Sequence, residues 1–485
     1  MESGVTIVGL GPGDPGLISR TAWDRLTAAD RVFLRTSMHP AVETIPFKGE
    51  VESFDPLYED SDSFQAVYRQ IVDRLMVAAK FEKIVYAVPG DPGVGEATTA
   101  QVRSRAEEQG IPLRIIHGIS FIEPSLAALA IDALDGLVVV DALELMDRHH
   151  PSFPPDYHIL ISQIHSQLIA SDIKLTLMNQ YPEGHPITLL SAAGTEGESI
   201  EHKELYELDR ETEFGSMSCL YIPPMEEGSS FESFQELVAH LRSPEGCPWD
   251  REQTHLSLRQ HMLEEAYETL EALDAEDPQE LEEELGDLML QLVLQTQIAV
   301  EEGEFLMADV LRGIHQKLVR RHPHVFGDVD VEDVPEVLSN WEGLKAAERQ
   351  EGGKEESALA GVPKSLPALA QAEEYQSRAA RLGFDWPEAS GVLAKIQEEL
   401  AEVAEAEGEL EQAAEIGDLL FAVVNYARWL KVDPEASLRQ ANAKFRARFR
   451  KVEDLSRNQD QRLAEMNLDQ LNALWEQAKH EEGQR

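Results

Sequence analysis

One pattern occurs twice in this chain and constrains it more than any other feature. Glu-Glu-x-x-Glu lies on one apolar-periodic segment, and Glu-x-x-Asp follows on the next. The first copy, in HMLEEAYETLEAL and EELGDLMLQLVLQ, supplies Glu264, Glu265, Glu268, Glu284 and Asp287. The second, in KIQEELAEVAEAE and EIGDLLFAVVNYA, supplies Glu398, Glu399, Glu402, Glu415 and Asp418. Internal repetition takes precedence over local signals, because the fold of one copy must serve for the other. Residues three and four apart share a helix face, so Glu265 and Glu268 project together, as do Glu284 and Asp287. Asp277-Pro278-Gln279-Glu280 reads as an N-cap, a first-turn proline and a capping-box glutamate. So short a joint makes the two helices antiparallel neighbours. The apolar runs LMLQLVLQ and LLFAVVNYA bury the second helix of each pair and leave its acids close to the interface.

Acids at a helix start also complement the macrodipole, and an acidic helix face in water needs no ligand. Four carboxylates converging on one interface are a different matter, because they repel each other and raise one another's pKa values. A divalent cation among them removes the conflict, and an all-oxygen set without His or Cys suits Mg²⁺ or Mn²⁺. Each copy also ends in a basic segment, KLVRRH (317–322) and KFRARF (444–449), aligning Lys317 with Lys444 and Arg321 with Arg448. These segments read either as generic cationic surface or as phosphate contacts. Carboxylate-held Mg²⁺ with nearby Lys and Arg is the equipment for a polyphosphate. Trp249 and Trp386 precede the acidic helices at similar distances and read as base-stacking or as core residues.

The texture of the chain divides it into parts. Residues 1–224 alternate strand-like and helix-like runs, as in an α/β domain. VTIVGL, KIVYAVPG, LRIIHG, LDGLVVVDA, YHILISQ, IKLTLMNQY and SCLYIPP read as strands, and TAWDRLTAAD and ATTAQVRSRAEEQG as helices. A polar linker follows at 225–233, then an all-α stretch at 234–348, a second linker at 349–365 and a second all-α stretch at 366–485.

An apolar content of 42% is ample for several cores, and no run approaches the roughly 18 apolar residues of a membrane span. No signal peptide is visible, and two cysteines cannot build a disulfide framework, so a cytoplasmic location is expected. Ninety acidic against 42 basic residues give a net charge of −48, which argues against nucleic-acid and membrane binding.

In the N-terminal part, VTIVGLGPGDPG places Gly9, Gly11 and Gly13 at a strand-to-helix turn. A dinucleotide fingerprint requires a third glycine at position 14. Asp14 stands there, where a pyrophosphate would be repelled, so a standard NAD site is rejected. A second turn, VPGDPGVG (88–95), repeats the Gly-Asp-Pro element. Two such turns at the C-terminal ends of strands suggest a ligand crevice, or else tight turns with no ligand.

These motifs resemble known families. CPWDREQTHLSLRQHMLEEAYE, ELGDLMLQ and RRHPHVFGD, then GFDWP, EELAEV, EIGDLLFAVVNYAR and ANAKFRARF, resemble the two domains of the tandem MazG nucleoside triphosphate pyrophosphohydrolases over about residues 231–480. The resemblance implies an all-α, usually dimeric, Mg²⁺-dependent enzyme that converts NTP and water to NMP and pyrophosphate. It implies Glu265, Glu268, Glu284 and Asp287 as metal ligands in copy one, and Glu399, Glu402, Glu415 and Asp418 in copy two. Glu398, Lys444 and Arg448 join the catalytic set, the last two on phosphate. The denser basic helix favours copy two for turnover.

GLGPGDPGLISRTAWDRLTAAD, AVPGDPGVG and HGIS resemble the tetrapyrrole (corrin/porphyrin) methylases over residues 4–224. That family binds S-adenosylmethionine between two α/β subdomains. The matching positions are Gly9, Gly11, Gly13, Asp14, Gly90, Asp91, Pro92, Gly118 and Ser120. The combination resembles bacterial fusions of the YabN type. The expected protein is a nucleotide-pool pyrophosphohydrolase that takes nucleoside triphosphates as substrate and forms a homodimer through its helical domains, with an appended methylase-like domain. The rival readings are a methyltransferase with a nucleotide-sensing helical module and a non-enzymatic nucleotide-responsive scaffold.

Overall fold

The computed structural model describes residues 3–59, 63–210, 214–215, 217–334, 336–337, 340–341, 343–344, 357, 359–459 and 461–482. Two compact units divide the chain, Met1–Leu241 and Arg242–Arg485. The expected 349–365 linker falls partly outside the described residues, at 349–356 and 358.

The first unit holds two five-stranded sheets. One contains β1 (Gly4–Gly9), β2 (Arg31–Leu34), β3 (Glu50–Ser53), β4 (Lys83–Val88) and β5 (Leu113–Ile116). Its order is β3-β2-β4-β1-β5, and every pairing is parallel. Parallel strands are covered on both faces and therefore read as unbroken apolar runs; β1, GVTIVG, is buried at every position. The helix Phe64–Ala79 starts on the Ser63 cap and turns Val67, Ile71, Val72, Leu75 and Met76 into the same core. That is the helical period, and it explains why this face is buried.

The second sheet contains β6 (Leu137–Asp141), β7 (His158–Ser162), β8 (Pro186–Ser191), β9 (Ser199–Glu204) and β10 (Ser218–Ile222), ordered β6-β7-β10-β8-β9. Only β6 and β7 pair in parallel here. IKLTLMNQY is not a strand. Its first half completes the helix Gln167–Leu177, capped by Ser166. The buried residues Ile169, Ala170, Ile173, Thr176 and Leu177 repeat at helical spacing once the preceding QLIASD is included. The 225–233 segment also ends in structure: a helix begins at Phe231, and Ser230 Oγ donates to Asp156 Oδ2 at 2.6 Å.

Every regular element among the described residues of the second unit is a helix. Arg259–Ala275 packs against Pro278–Glu302, and Ala389–Glu405 against Glu409–Trp429, so each copy is a helical hairpin. Asp277 caps its helix by accepting from Gln279 N at 3.0 Å and Glu280 N at 3.3 Å, with Pro278 in the first turn as expected. Pro434–Asn458 is the basic helix, and Leu468–Glu482 packs on it. Leu285, Met289 and Leu292 form an exposed stripe on one helix, and Ile416, Leu420 and Val423 form another. Among the described residues no helix is long and apolar enough to cross a membrane.

Candidate functional site

The repeated acids converge in both hairpins. Carboxylate oxygens of Glu265, Glu268 and Glu284 lie within 4.8 Å of one another, and those of Glu399, Glu402 and Glu415 do the same. Two helices supply each trio, because the Glu-x-x-Glu face of one meets the acid at the head of the other. Asp287 and Asp418 stand one turn further along and fall outside these trios. Asp287 nevertheless acts on its cluster. Desolvation is the main influence raising the Glu265 carboxyl above its ordinary value, with repulsion from Asp287 next and from Glu268 after it. Glu284 is raised by desolvation, then by Glu268 and Asp287. In the second hairpin Glu402 is raised by desolvation and then by Glu399, with Lys395 pulling the other way.

Each cluster contains a carboxylate oxygen that is buried and bonded to nothing, Glu284 Oε2 in one and Glu399 Oε2 in the other. Glu399 is only 4% exposed. A buried acceptor without a donor costs roughly 1–3 kcal/mol. A hard cation satisfies such an oxygen, and the hard, all-carboxylate donor set fits Mg²⁺ or Mn²⁺. Lys395, not anticipated from the sequence, reaches Glu398 Oε1 at 2.8 Å and Glu399 Oε1 at 2.7 Å. Lys444 is exposed on the basic helix, and the Arg448 guanidinium lies over the Trp475 ring at 6.0 Å. Trp249 packs edge-on to His261, with ring centroids 6.1 Å apart.

In the first unit the two glycine turns bond directly to each other. Gly11 N donates to Gly90 O at 3.2 Å and Gly90 N to Gly11 O at 2.8 Å. The approach leaves no room for side chains: a Cβ on Gly9 would meet Gly90 O at 2.5 Å and Gly118 N at 2.6 Å. Asp91 fastens this junction, accepting from Gly93 N at 2.7 Å and from Gly118 N at 3.0 Å. Beside it lies a cavity of about 620 Å³, lined by residues at the C-terminal ends of β1, β2 and β4 and by segments of the second sheet. Ligands of parallel α/β sheets bind at this end of the strands.

Residues 4–209 match the family of tetrapyrrole (corrin/porphyrin) methylases, and residues 253–326 match the MazG nucleotide pyrophosphohydrolase domain. The YabN protein of Bacillus subtilis is 42% identical over 496 residues, with 99% of each chain covered. The nucleoside triphosphate pyrophosphohydrolase/pyrophosphatase MazG of Thermotoga maritima is 45% identical over 254 residues, covering 52% of this chain and 97% of the relative. This chain belongs to the MazG family, with a tetrapyrrole-methylase domain in front. The crystal structure of uroporphyrin-III-C-methyltransferase from Thermus thermophilus is also similar, at 21% identity, 46% coverage of this chain, 93% of that one and a TM-score of 0.36.

Among the methylase-domain residues singled out in the sequence, Gly11, Gly90, Asp91 and Ser120 line the cavity. Gly9, Gly13, Asp14, Pro92 and Gly118 do not. Asp14 is used as a cap, accepting from Gly16 N at 2.6 Å. Sequence reasoning missed Arg35, His39 and Glu96, which the cavity brings together with the glycine turns. A polar RTSMH run directly after the buried strand RVFL was the available signal. In the MazG hairpins the acids were legible, and Lys395, one helical turn before Glu399, was passed over.

Proposed function

We propose that the chain is a Mg²⁺-dependent nucleoside triphosphate pyrophosphohydrolase, converting NTP and water to NMP and pyrophosphate. The observation that carries this reading is the pair of glutamate trios, each with a buried carboxylate oxygen lacking a donor. Glu265, Glu268 and Glu284, with Asp287 adjoining, would hold metal in the first hairpin. Glu399, Glu402 and Glu415, with Asp418, would hold it in the second. Bound there, the cation supplies charge neutralisation for a polyphosphate. Lys444 and Arg448 bind the phosphates, and Glu398, exposed at the rim, accepts the proton of the attacking water. Turnover is assigned to the second hairpin, whose basic helix carries Lys444, Arg446, Arg448 and Arg450. The curated relatives named as nucleoside triphosphate pyrophosphohydrolases support the reading.

The exposed stripes Leu285-Met289-Leu292 and Ile416-Leu420-Val423 support a homodimer through the helical domains. The two free cysteines support a cytoplasmic location. The first unit is assigned as an S-adenosylmethionine-binding methylase domain on the strength of its cavity beside the glycine junction.

Product analysis tests the hydrolase. NTPs and dNTPs incubated with protein and Mg²⁺ should give monophosphate and pyrophosphate, and EDTA should abolish both. Diphosphate with orthophosphate would refute the assigned bond. Glu402→Gln should abolish turnover and Glu268→Gln should retain most of it; the reverse would move the reaction to the first hairpin.

A further inference from the structure

The cavity of the methylase domain contains two buried polar groups that its own fold does not satisfy. Arg35, at the end of β2, forms an ion pair with Glu96 at 3.7 Å, yet its Nη1 is buried without a hydrogen-bond partner. The guanidinium is held in place by the rings of Tyr58 and Tyr68, 5.2 and 4.5 Å from their centroids. His39, four residues on and only 7% exposed, bonds through Nε2 to Gly11 O at 3.0 Å. A carbonyl can only accept, so Nε2 carries the proton of this bond. Burial holds the imidazole pKa below its ordinary value, which keeps the ring neutral. Nδ1 is therefore a bare lone pair, and it too is buried without a partner. Both residues line the cavity, and neither belongs to a glycine turn.

The charge of the lining restricts what can fill it. Arg35 is the one basic Lys or Arg side chain lining the cavity among the described residues, against the carboxylates of Asp55, Asp91 and Glu96. Asp55 accepts from Ser37 Oγ at 2.6 Å and Ser53 Oγ at 2.5 Å, so it is held as an anion. A ligand with many carboxylates would meet three like charges and one opposite charge, an unpaired arrangement that costs free energy on desolvation. A ligand with one anionic group has a single matching donor. Phe121 and Met38 add apolar wall for its body.

We propose that Arg35 and His39, beside the glycine turns but not part of them, form a second ligand subsite in this cavity for a compact molecule with an apolar body and one anionic group. Arg35 Nη1 donates to the anion, and His39 Nδ1 accepts from an N–H or O–H of the same molecule. A polycarboxylated macrocycle is excluded. The subsite deepens the methylase reading by defining the methyl acceptor's chemistry, and it can be tested separately from methyl-donor binding.

The full-length protein would be titrated with 3-hydroxybenzoate, whose O–H suits His39, with its neutral methyl ester, and with uroporphyrin, a polycarboxylated macrocycle, by ligand-observed NMR and fluorescence. 3-Hydroxybenzoate should bind at least about tenfold more tightly than its ester, the advantage expected of a charge-assisted bond. Arg35→Met/Glu96→Gln removes the ion pair as a unit and should erase the difference. Arg35→Lys keeps a cation for Glu96 without the Nη1 donor and should reduce it; near-UV circular dichroism reports whether each is folded. Equal binding of acid and ester by the wild type, an unchanged preference in the folded variants, or micromolar binding of uroporphyrin to this cavity would each overturn the subsite. S-adenosylhomocysteine is titrated in parallel. Failure of it to bind refutes the methyl-donor assignment alone, because the hydroxybenzoate preference is measured without it.

Discussion

Glu399→Gln separates a metal ligand from a structural acid, and the structure sets the size of the effect. In the metal-free protein the change removes the charge from a carboxylate crowded by Glu402 and Glu415 and weakens its contact with Lys395. The Lys395 side chain is 36% exposed and water screens its end of the pair, so weakening that contact costs little. Relief of repulsion acts in the opposite direction, and the amide nitrogen replaces an oxygen that already lacked a donor. Metal-free stability should therefore change little, because the two effects oppose each other. With metal at about 100 times its Kd, a single site contributes about 2.7 kcal/mol of linkage. For a unit of this size that corresponds to a Tm rise of roughly 5–10 °C, at about 2–4 °C per kcal/mol. Differential scanning calorimetry of the variant in a Glu268→Gln background, with Mg²⁺ or EDTA, reads both quantities. The Mg²⁺-dependent rise should disappear while the EDTA transition stays near that of the background protein. A full rise in the variant, or a loss of several kcal/mol in EDTA, would refute the argument, because Glu399 would then be a structural residue.

Lys395→Met should tighten Mg²⁺ binding several-fold, because it removes a cation that competes with the metal for Glu398 and Glu399; isothermal titration checks it, and weaker binding would contradict it. Gly9→Ala should destabilise the first unit by about 1–3 kcal/mol through overpacking and abolish S-adenosylhomocysteine binding. NTP hydrolysis should persist at temperatures where both units remain folded. The Asp55 carboxyl is held down to about 2 from 3.8: burial pushes it up, and hydrogen bonds from Ser37, Ser53 and Thr36 outweigh that. Its contribution to stability is therefore full above about pH 3.8 and is lost as the pH falls toward 2. Ser53→Ala should move this loss to higher pH, seen as an earlier acid-unfolding midpoint. Leu292→Glu with Leu420→Glu should convert a dimer to monomer in analytical ultracentrifugation.

The sequence carried the helical hairpins well because their apolar period and caps are local. Asp277-Pro278 predicted the helix start correctly, and the repeated acids fell on facing helices. The first unit was harder to read. Strands β2 and β3 are four residues each, and β9, SIEHKE, lies at a sheet edge with little burial to mark it. The apolar spacing around IKLTLMNQY fits a strand only when QLIASD is left out. Arg35 and His39 carried no motif, because their significance arises when parallel pairing brings the end of β2 beside the glycine turns. Spacing along a chain does not record that proximity.

The parallel pairing also has a kinetic consequence. β1 ends at Gly9, yet one of its neighbours, β5, begins only at Leu113, so the first sheet is not complete until over a hundred residues have left the ribosome. The hairpin Arg259–Ala275 with Pro278–Glu302 spans 44 residues and closes through nearby contacts. Folding rate falls as contacting residues lie farther apart in sequence. Synthesis order and folding order are therefore opposed: the half made first depends on distant pairings, and the half made last gains its helical structure quickly. An interval follows in which β1, an almost wholly apolar strand, waits first for β4 and then with one edge open for β5. Chaperone dependence in this protein should accordingly map to its first 120 residues.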